Sequence, residues 1–139
     1  MRALIYQAVK DIPEIAEDCG GRFYQSSSVG IGGVPANPDR PYCLFMELPS
    51  IPFQEVRHTA RAVNRIFQVF VYDERGDFTR IDNILAAVRE TILGLVLEVD
   101  TSTGARCIES LWTGDSQDIT DDQHDTSAKF SLFQLTSSK

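Results

Sequence analysis

The segment Val63–Tyr72, VNRIFQVFVY, is apolar on both of its faces, and a strand of that kind is stable only between two covering layers. Its β-branched and aromatic content marks it as a strand. Alternation places Val63, Phe67, Val69 and Val71 on one face. Ile66, Phe70 and Tyr72 fall on the other, with only Asn64 and Gln68 as polar members. The next segment supplies one cover. Asp77 is positioned as an N-cap, and Phe78, Ile81, Leu85, Val88, Ile92 and Leu95 recur at spacings of three and four, which predicts a long amphipathic helix. Its outward side carries Arg80, Asp82, Arg89 and Glu90, an ordinary solvated face, and Gly94 weakens its end. The face bearing Ile66, Phe70 and Tyr72 is left for another surface, and a second copy of the chain is the expected one.

The remaining elements fit around this pair. Leu4, Ile5, Ala8, Val9 and Ile12 form the stripe of a short N-terminal helix that Pro13 interrupts. A further turn, EIAEDC, can follow, with Gly20-Gly21 as its stop. Arg22–Gln25 and Tyr42–Leu48 read as strands, two more flank a turn at Asp100–Gly104, and Ala128–Leu135 reads as the last. The expected fold class is α+β: a mixed or antiparallel sheet of about four to five strands, with one long helix and a short N-terminal helix packed on one face. A length of 139 residues suits one domain, residues 1–139, with a Gly/Pro-rich loop at 26–41 and an acidic loop at 113–127.

The stretch Val29–Tyr42, VGIGGVPANPDRPY, raises a nucleotide-binding question through its Gly30-x-Gly32-Gly33 core. Its context answers no. The glycines follow Ser26-Ser27-Ser28 and run into Pro35, Pro38 and Pro41 instead of a helix, and no Lys-Ser or Lys-Thr pair follows them. A loop this long is functional or disordered more often than a mere connector. Val29, Gly30, Ile31, Gly32, Gly33 and Val34 are therefore assigned to a partner-contact arm.

Charge and motif patterns exclude most chemistries. The net charge of −7 argues against a protein that grips nucleic acid through its phosphates. Residues 1–97 carry 12 acids and 10 bases, or −2, and residues 98–139 carry 8 and 3, or −5, so the acidity belongs to the C-terminal third. Such a bias is either a solvated face or a surface that repels a polyanion. Its densest part, Asp115, Asp118, Asp121, Asp122 and Asp125, lacks the rhythm of a calcium loop. His58 and His124 have no second ligand at metal-site spacing, and no serine stands in a nucleophile elbow. Neither a catalytic constellation nor a cofactor site is expected. Cys19, Cys43 and Cys107 form no CxxC pair, which fits packing roles in a reducing compartment. No apolar run is long enough for a membrane span, and the charged N-terminus does not read as a signal peptide, so a cytosolic protein with no membrane partner is expected. Arg57, Arg61 and Arg65, with His58, form the single basic cluster, either for an acidic partner or merely solvated. Trp112 is a core anchor or an interface anchor.

Several of these stretches share an order with a known family. An N-terminal helix running into IAEDCGGRFYQ, a Gly/Pro loop ending in RPY (Arg40-Pro41-Tyr42) and the extended PYCLFMEL, then NRIFQVFVYD and the helix FTRIDNILAAVRETILGL before further strands, resemble the tail-terminator and tail-completion proteins of long-tailed, siphovirus-like phages. The resemblance spans nearly the whole chain, apart from a longer acidic C-terminal stretch. It implies a non-enzymatic virion protein of the phage neck. Such a protein forms a homo-oligomeric, hexameric ring that caps the tail tube protein, ends its polymerisation and meets a head-side connector or stopper protein. DNA would pass through the channel without specific binding, and the location would be the tail-head junction, after assembly in the host cytoplasm. In that setting Ile66, Phe70, Tyr72 and Trp112 would serve subunit contacts, Arg57, Arg61 and Arg65 a protein neighbour, and Asp115, Asp118, Asp121, Asp122 and Asp125 the lumen or its rim. The alternative is a small-molecule-binding or enzymatic α+β domain with a site under the glycine loop.

Overall fold

The computed structural model describes residues 1–26, 38–49, 62–122 and 125–138. The chain runs through helix α1 (Arg2–Lys10), a π-helical turn (Glu14–Asp18), β1 (Phe23–Ser26), β2 (Tyr42–Leu48), β3 (Val63–Glu74) and helix α2 (Phe78–Leu93). It continues with β4 (Val99–Asp100), β5 (Ala105–Asp115), β6 (Ile119–Asp121) and β7 (Thr126–Ser137). The seven strands form one sheet in the order β1-β2-β3-β7-β5-β4, with β6 also paired to β7. β1 and β2 are parallel and every other pairing is antiparallel, so the sheet is mixed.

The strand count exceeds the expected four to five, and the reason is local. β4 and β6 have two and three residues, too few to show any periodicity. The acidic stretch 113–127, read from its polarity as a loop, holds the end of β5, all of β6 and the start of β7. Backbone pairing decides those residues, and it leaves no hydropathy signal when both side-chain faces are polar.

The helices lie on one face of the sheet. Phe45, Phe67 and Phe133 are fully buried there against Ile81, Ile84, Leu85, Val88 and Ile92 of α2, with Ile5 and Val9 of α1 completing the layer. A row of rings crosses the first three strands: Tyr6 on Phe23 at 5.4 Å, Phe23 to Phe45 at 5.9 Å and Phe45 to Phe67 at 5.6 Å. Pro13 ends the first helical run as its sequence requires, and the π-helical turn starts directly behind it. Gly20 and Gly21 then turn the chain at φ +58° and +76°, conformations that favour glycine.

One expected device is absent. Asp77 occupies the N-cap of α2, but its side chain makes no capping hydrogen bond and instead faces Arg80 at 3.5 Å. Asp73, fully buried at the end of β3, does the tying: it accepts Nε and Nη2 of Arg80 and, at 2.7 Å, the amide of Glu74. A forked guanidinium on a buried carboxylate fixes both distance and orientation between strand and helix.

Two substitutions separate these roles. Phe67→Ala should lower unfolding free energy by about 3–5 kcal/mol, since it empties the middle of the core. Asp77→Ala should cost less than about 0.5 kcal/mol, below the ordinary value for a lost cap. Urea denaturation of both variants beside the wild type measures the difference, and equal losses would contradict the packing described.

Candidate functional site

The face of the sheet away from the helices carries an aromatic strip. Register places Tyr42 opposite Tyr72, Leu44 opposite Phe70 and Phe70 opposite Phe130, so these residues share one side of β2, β3 and β7. Ring centroids follow one another at 6.1 Å from Tyr24 to Tyr42, 4.8 Å from Tyr42 to Tyr72, 5.6 Å from Tyr72 to Phe70 and 4.8 Å from Phe70 to Phe130. Burial, reinforced by Tyr42 and Asp121, pushes the Tyr72 phenol up to about 12. The strip is thus a partly dehydrated apolar surface with hydroxyl groups on its tyrosines.

Ile66, Phe70 and Tyr72 all lie on this face and are half-buried. Trp112 does not join them. It pairs with Phe133, whose side chain is in the helix-side core, and the Arg89 guanidinium of α2 sits 4.5 Å from the centre of its ring. Its indole Nε1 donates to Asp115 at 3.0 Å. The sequence could not separate these residues because β5 shifts register between Cys107 and Glu109 and again between Trp112 and Gly114, so simple alternation fails along it. Tyr24, Tyr42 and Phe130 belong to the strip and were not singled out from the sequence. For Phe130 the signal was present, since alternation in AKFSLFQL sets Phe130 and Leu132 against Phe133 and Leu135.

A second apolar patch surrounds the turn after α2. Val96, Leu97 and Val99 are exposed, as is Ile108 on β5, and Leu97 reaches 67% exposure at φ 75°. A left-handed leucine is an uncommon conformation, held here by its amide donating to the carbonyl of Cys107 at 2.7 Å. The sequence signal for this patch was the run LVLEV, which continues apolar past Gly94, where helical periodicity ends.

Arg65 stands on the helix side of β3 and pairs with Glu47 at 2.7 Å, while Arg2 approaches the same carboxylate at 3.5 Å. Arg57 and Arg61 lie outside the described residues, as do His58, His124 and the assigned arm Val29, Gly30, Ile31, Gly32, Gly33 and Val34. The aspartates of the C-terminal third engage the chain itself. Asp115 accepts from Ser131 and Trp112, Asp118 approaches Lys129 at 3.7 Å, and Arg75 bridges Asp122 at 2.9 Å and Asp125 at 3.6 Å. Asp118, Asp122 and Asp125 remain mostly exposed, and Asp121 closes β6.

A polar cleft of about 640 Å³ opens at the start of α1, lined by Arg2, Tyr6, Gln25, Glu47, Arg65 and Asp100 among others. Beneath it the Met1 ammonium meets Asp100 at 2.6 Å, both buried. Burial alone would raise the Asp100 carboxyl, but hydrogen bonds from that ammonium and from the hydroxyl and amide of Ser102 hold it well below the usual carboxylate range. Among the described residues no group of three or more His, Cys, Asp or Glu is placed to hold a metal ion. No described helix is long and apolar enough to cross a membrane.

With the geometry in place, comparison with known proteins bears on the fold. No known protein family and no curated protein matches the sequence. Among solved structures, a chain from the virion of a native gene transfer agent particle overlays with a TM-score of 0.72 at 15% identity, covering 97% of this chain and 92% of that one. What the two share is the fold. A second solved chain overlays with a TM-score of 0.60 at 15% identity, over 96% of this chain and 92% of its own length. The likeness to the virion chain includes strands and helices alike, because the overlap leaves almost nothing out.

The buried pair at Asp100 yields a pH prediction. A carboxylate whose folded value is depressed contributes stability above its unfolded value of about 4, and the contribution disappears as pH falls through the folded value. Urea midpoints should therefore decline between roughly pH 5 and pH 2, and Asp100→Asn should flatten that decline while costing about 3–5 kcal/mol at neutral pH. An acid limb with the same slope in both proteins would remove Asp100 from this role.

Proposed function

We propose that this chain is a structural component of a virion, acting as a tail terminator at the phage neck. The observation that carries the reading is the overlay on a gene transfer agent virion chain across 97% of the present chain. The family resemblance of the sequence supplies the finer assignment: a hexameric ring on the tail tube, ending its growth and meeting a head-side connector. On this reading the protein is not an enzyme, and its activity consists of assembly.

The distribution of apolar surface supports a ring. The aromatic strip and the patch around Leu97 lie at different places on the fold, and two unlike surfaces suit a head-to-tail contact, in which one subunit's strip meets another part of its neighbour. Repeated head-to-tail contacts close into a ring when the rotation between subunits permits, whereas a single self-complementary patch yields a twofold dimer. Tyr24, Tyr42, Phe70, Tyr72 and Phe130 provide the aromatic content typical of the centre of such an interface. The C-terminal third carries 8 acids against 3 bases, and a negative balance of that kind suits a channel that DNA must traverse without retention.

Phe70→Asp tests the subunit contact. It sets a carboxylate in the middle of the strip, where a desolvated charge is costly, while leaving the helix-side core untouched. The variant should fold with near wild-type circular dichroism, fail to form rings by solution mass measurement at wild-type concentration, and fail to cap tail tubes. A folded variant that still forms rings would take Phe70 out of the interface. A wild-type protein that stays monomeric with and without tube protein would refute the terminator reading itself.

A further inference from the structure

Cys19 and Cys43 are far apart in sequence and adjacent in space. Their sulfurs lie 3.9 Å apart, each fully buried, and share a hydrogen bond. Cys19 ends the π-helical turn, immediately before Gly20 and Gly21, whereas Cys43 sits on β2 between β1 and β3. The third thiol, Cys107, is turned away and donates to the carbonyl of Glu109.

We infer that Cys19 and Cys43 are an oxidation site, closing to an intrachain disulfide when the protein meets a peroxide oxidant. Bond formation requires the sulfurs to approach by about 2 Å. The strand cannot supply that movement, because Cys43 is paired with Phe23 on one side and Val71 on the other. The movement therefore falls to Cys19, which stands at the end of a single turn outside the sheet ladder and before two glycines at positive φ.

The chemistry balances with hydrogen peroxide as the oxidant. The Cys19 thiolate attacks one peroxide oxygen, the O–O bond breaks, and the departing hydroxide takes a proton to leave as water. Cys19 is then a sulfenic acid. The Cys43 sulfur attacks the Cys19 sulfur, the S–S bond forms, the S–O bond breaks, and a second water leaves with the Cys43 proton. Two electrons pass from the sulfur pair to the peroxide. The hydrogen bond between the two sulfurs, with Arg22 assisting, holds the Cys19 thiol below its ordinary value against the opposing effect of burial, whereas burial and the same hydrogen bond raise the Cys43 thiol.

The consequence lies in the chain between the sulfurs. Residues 20–42 contain the whole Gly30–Val34 stretch, so the disulfide ties the two ends of that segment together at the sheet. Closing a segment of that length removes entropy from the unfolded chain and stabilises the fold. A particle that leaves a reducing cell interior would acquire the tie outside it. That setting rests on the proposed virion role, whereas the disulfide chemistry does not.

The test uses the purified full-length chain, so its outcome is independent of ring assembly. Treated with hydrogen peroxide under native conditions, the protein should fall from three titratable thiols to one, lose about 2 Da of intact mass, and yield a peptide joining Cys19 to Cys43. Its Tm should rise by roughly 5–10 °C and return on reduction with dithiothreitol. Cys107→Ala should still lose two thiols, and Cys19→Ala should lose none to a disulfide. Three thiols surviving in the wild type would overturn the proposal. So would a crosslink through Cys107, a crosslink between chains, or a mass gain from stepwise oxygen addition without a crosslink.

Discussion

The twelve-residue antiparallel register between β3 and β7 is the constraint on which the other features depend. It sets Phe67 opposite Phe133 and Phe70 opposite Phe130, and in doing so assigns every aromatic ring in the middle of the sheet to one face or the other. The β2 register continues the assignment, with Phe45 opposite Val69 and Leu44 opposite Phe70. A slip of one residue would send Phe67 outward and Phe70 into the helix layer, and α2 would lose the surface its stripe of Ile81, Ile84, Leu85, Val88 and Ile92 is shaped to cover. The long register thus specifies both the core and the face proposed for assembly.

Charge is used at the seams between layers. Asp73 and Arg80 join the end of β3 to the first turn of α2, and Asp100 joins the sheet to the start of α1 through the Met1 ammonium. Both carboxylates are buried and multiply hydrogen-bonded, the condition under which a buried charge is tolerable and removal of its partner is costly. The ion pairs of Arg75 with Asp122 and Asp125 are of a different kind. They are solvent-exposed, contribute little to stability, and mainly hold the acidic stretch close to the body of the protein.

These two uses of charge bear on what the surface offers a partner. The acidic third is not a free arm of carboxylates, because Asp115 is engaged by Ser131 and Trp112, and Lys129 lies between Asp82 and Asp118. Its field is still negative overall, and its geometry is set by strands β5, β6 and β7. Apolar surface interleaves with it, because Ile108, Leu111, Trp112 and Ile119 are exposed within the same third and β6 runs beside the β7 residues that pair with the strip, so contact with protein neighbours and electrostatic exclusion of a polyanion would share adjoining surface on one small fold.

The sequence by itself determined the elements whose signal is local. The stripe of α2, the break at Pro13, the turn at Gly20-Gly21 and the two-faced character of β3 all follow from side-chain spacing and backbone preference, and the structure shows each of them. It also placed Ile66, Phe70 and Tyr72 on one face, because alternation is strict along an unbulged strand. Only the tertiary structure moved Trp112 to the opposite side, turned parts of the acidic 113–127 stretch into strand, gave Arg65 to Glu47, and brought Cys19 beside Cys43. The physical reason is the same in all four. Bulges, polar edge pairing, ion pairs and sulfur contacts join residues distant in the chain, and no local periodicity encodes which distant backbone or side chain will become the neighbour.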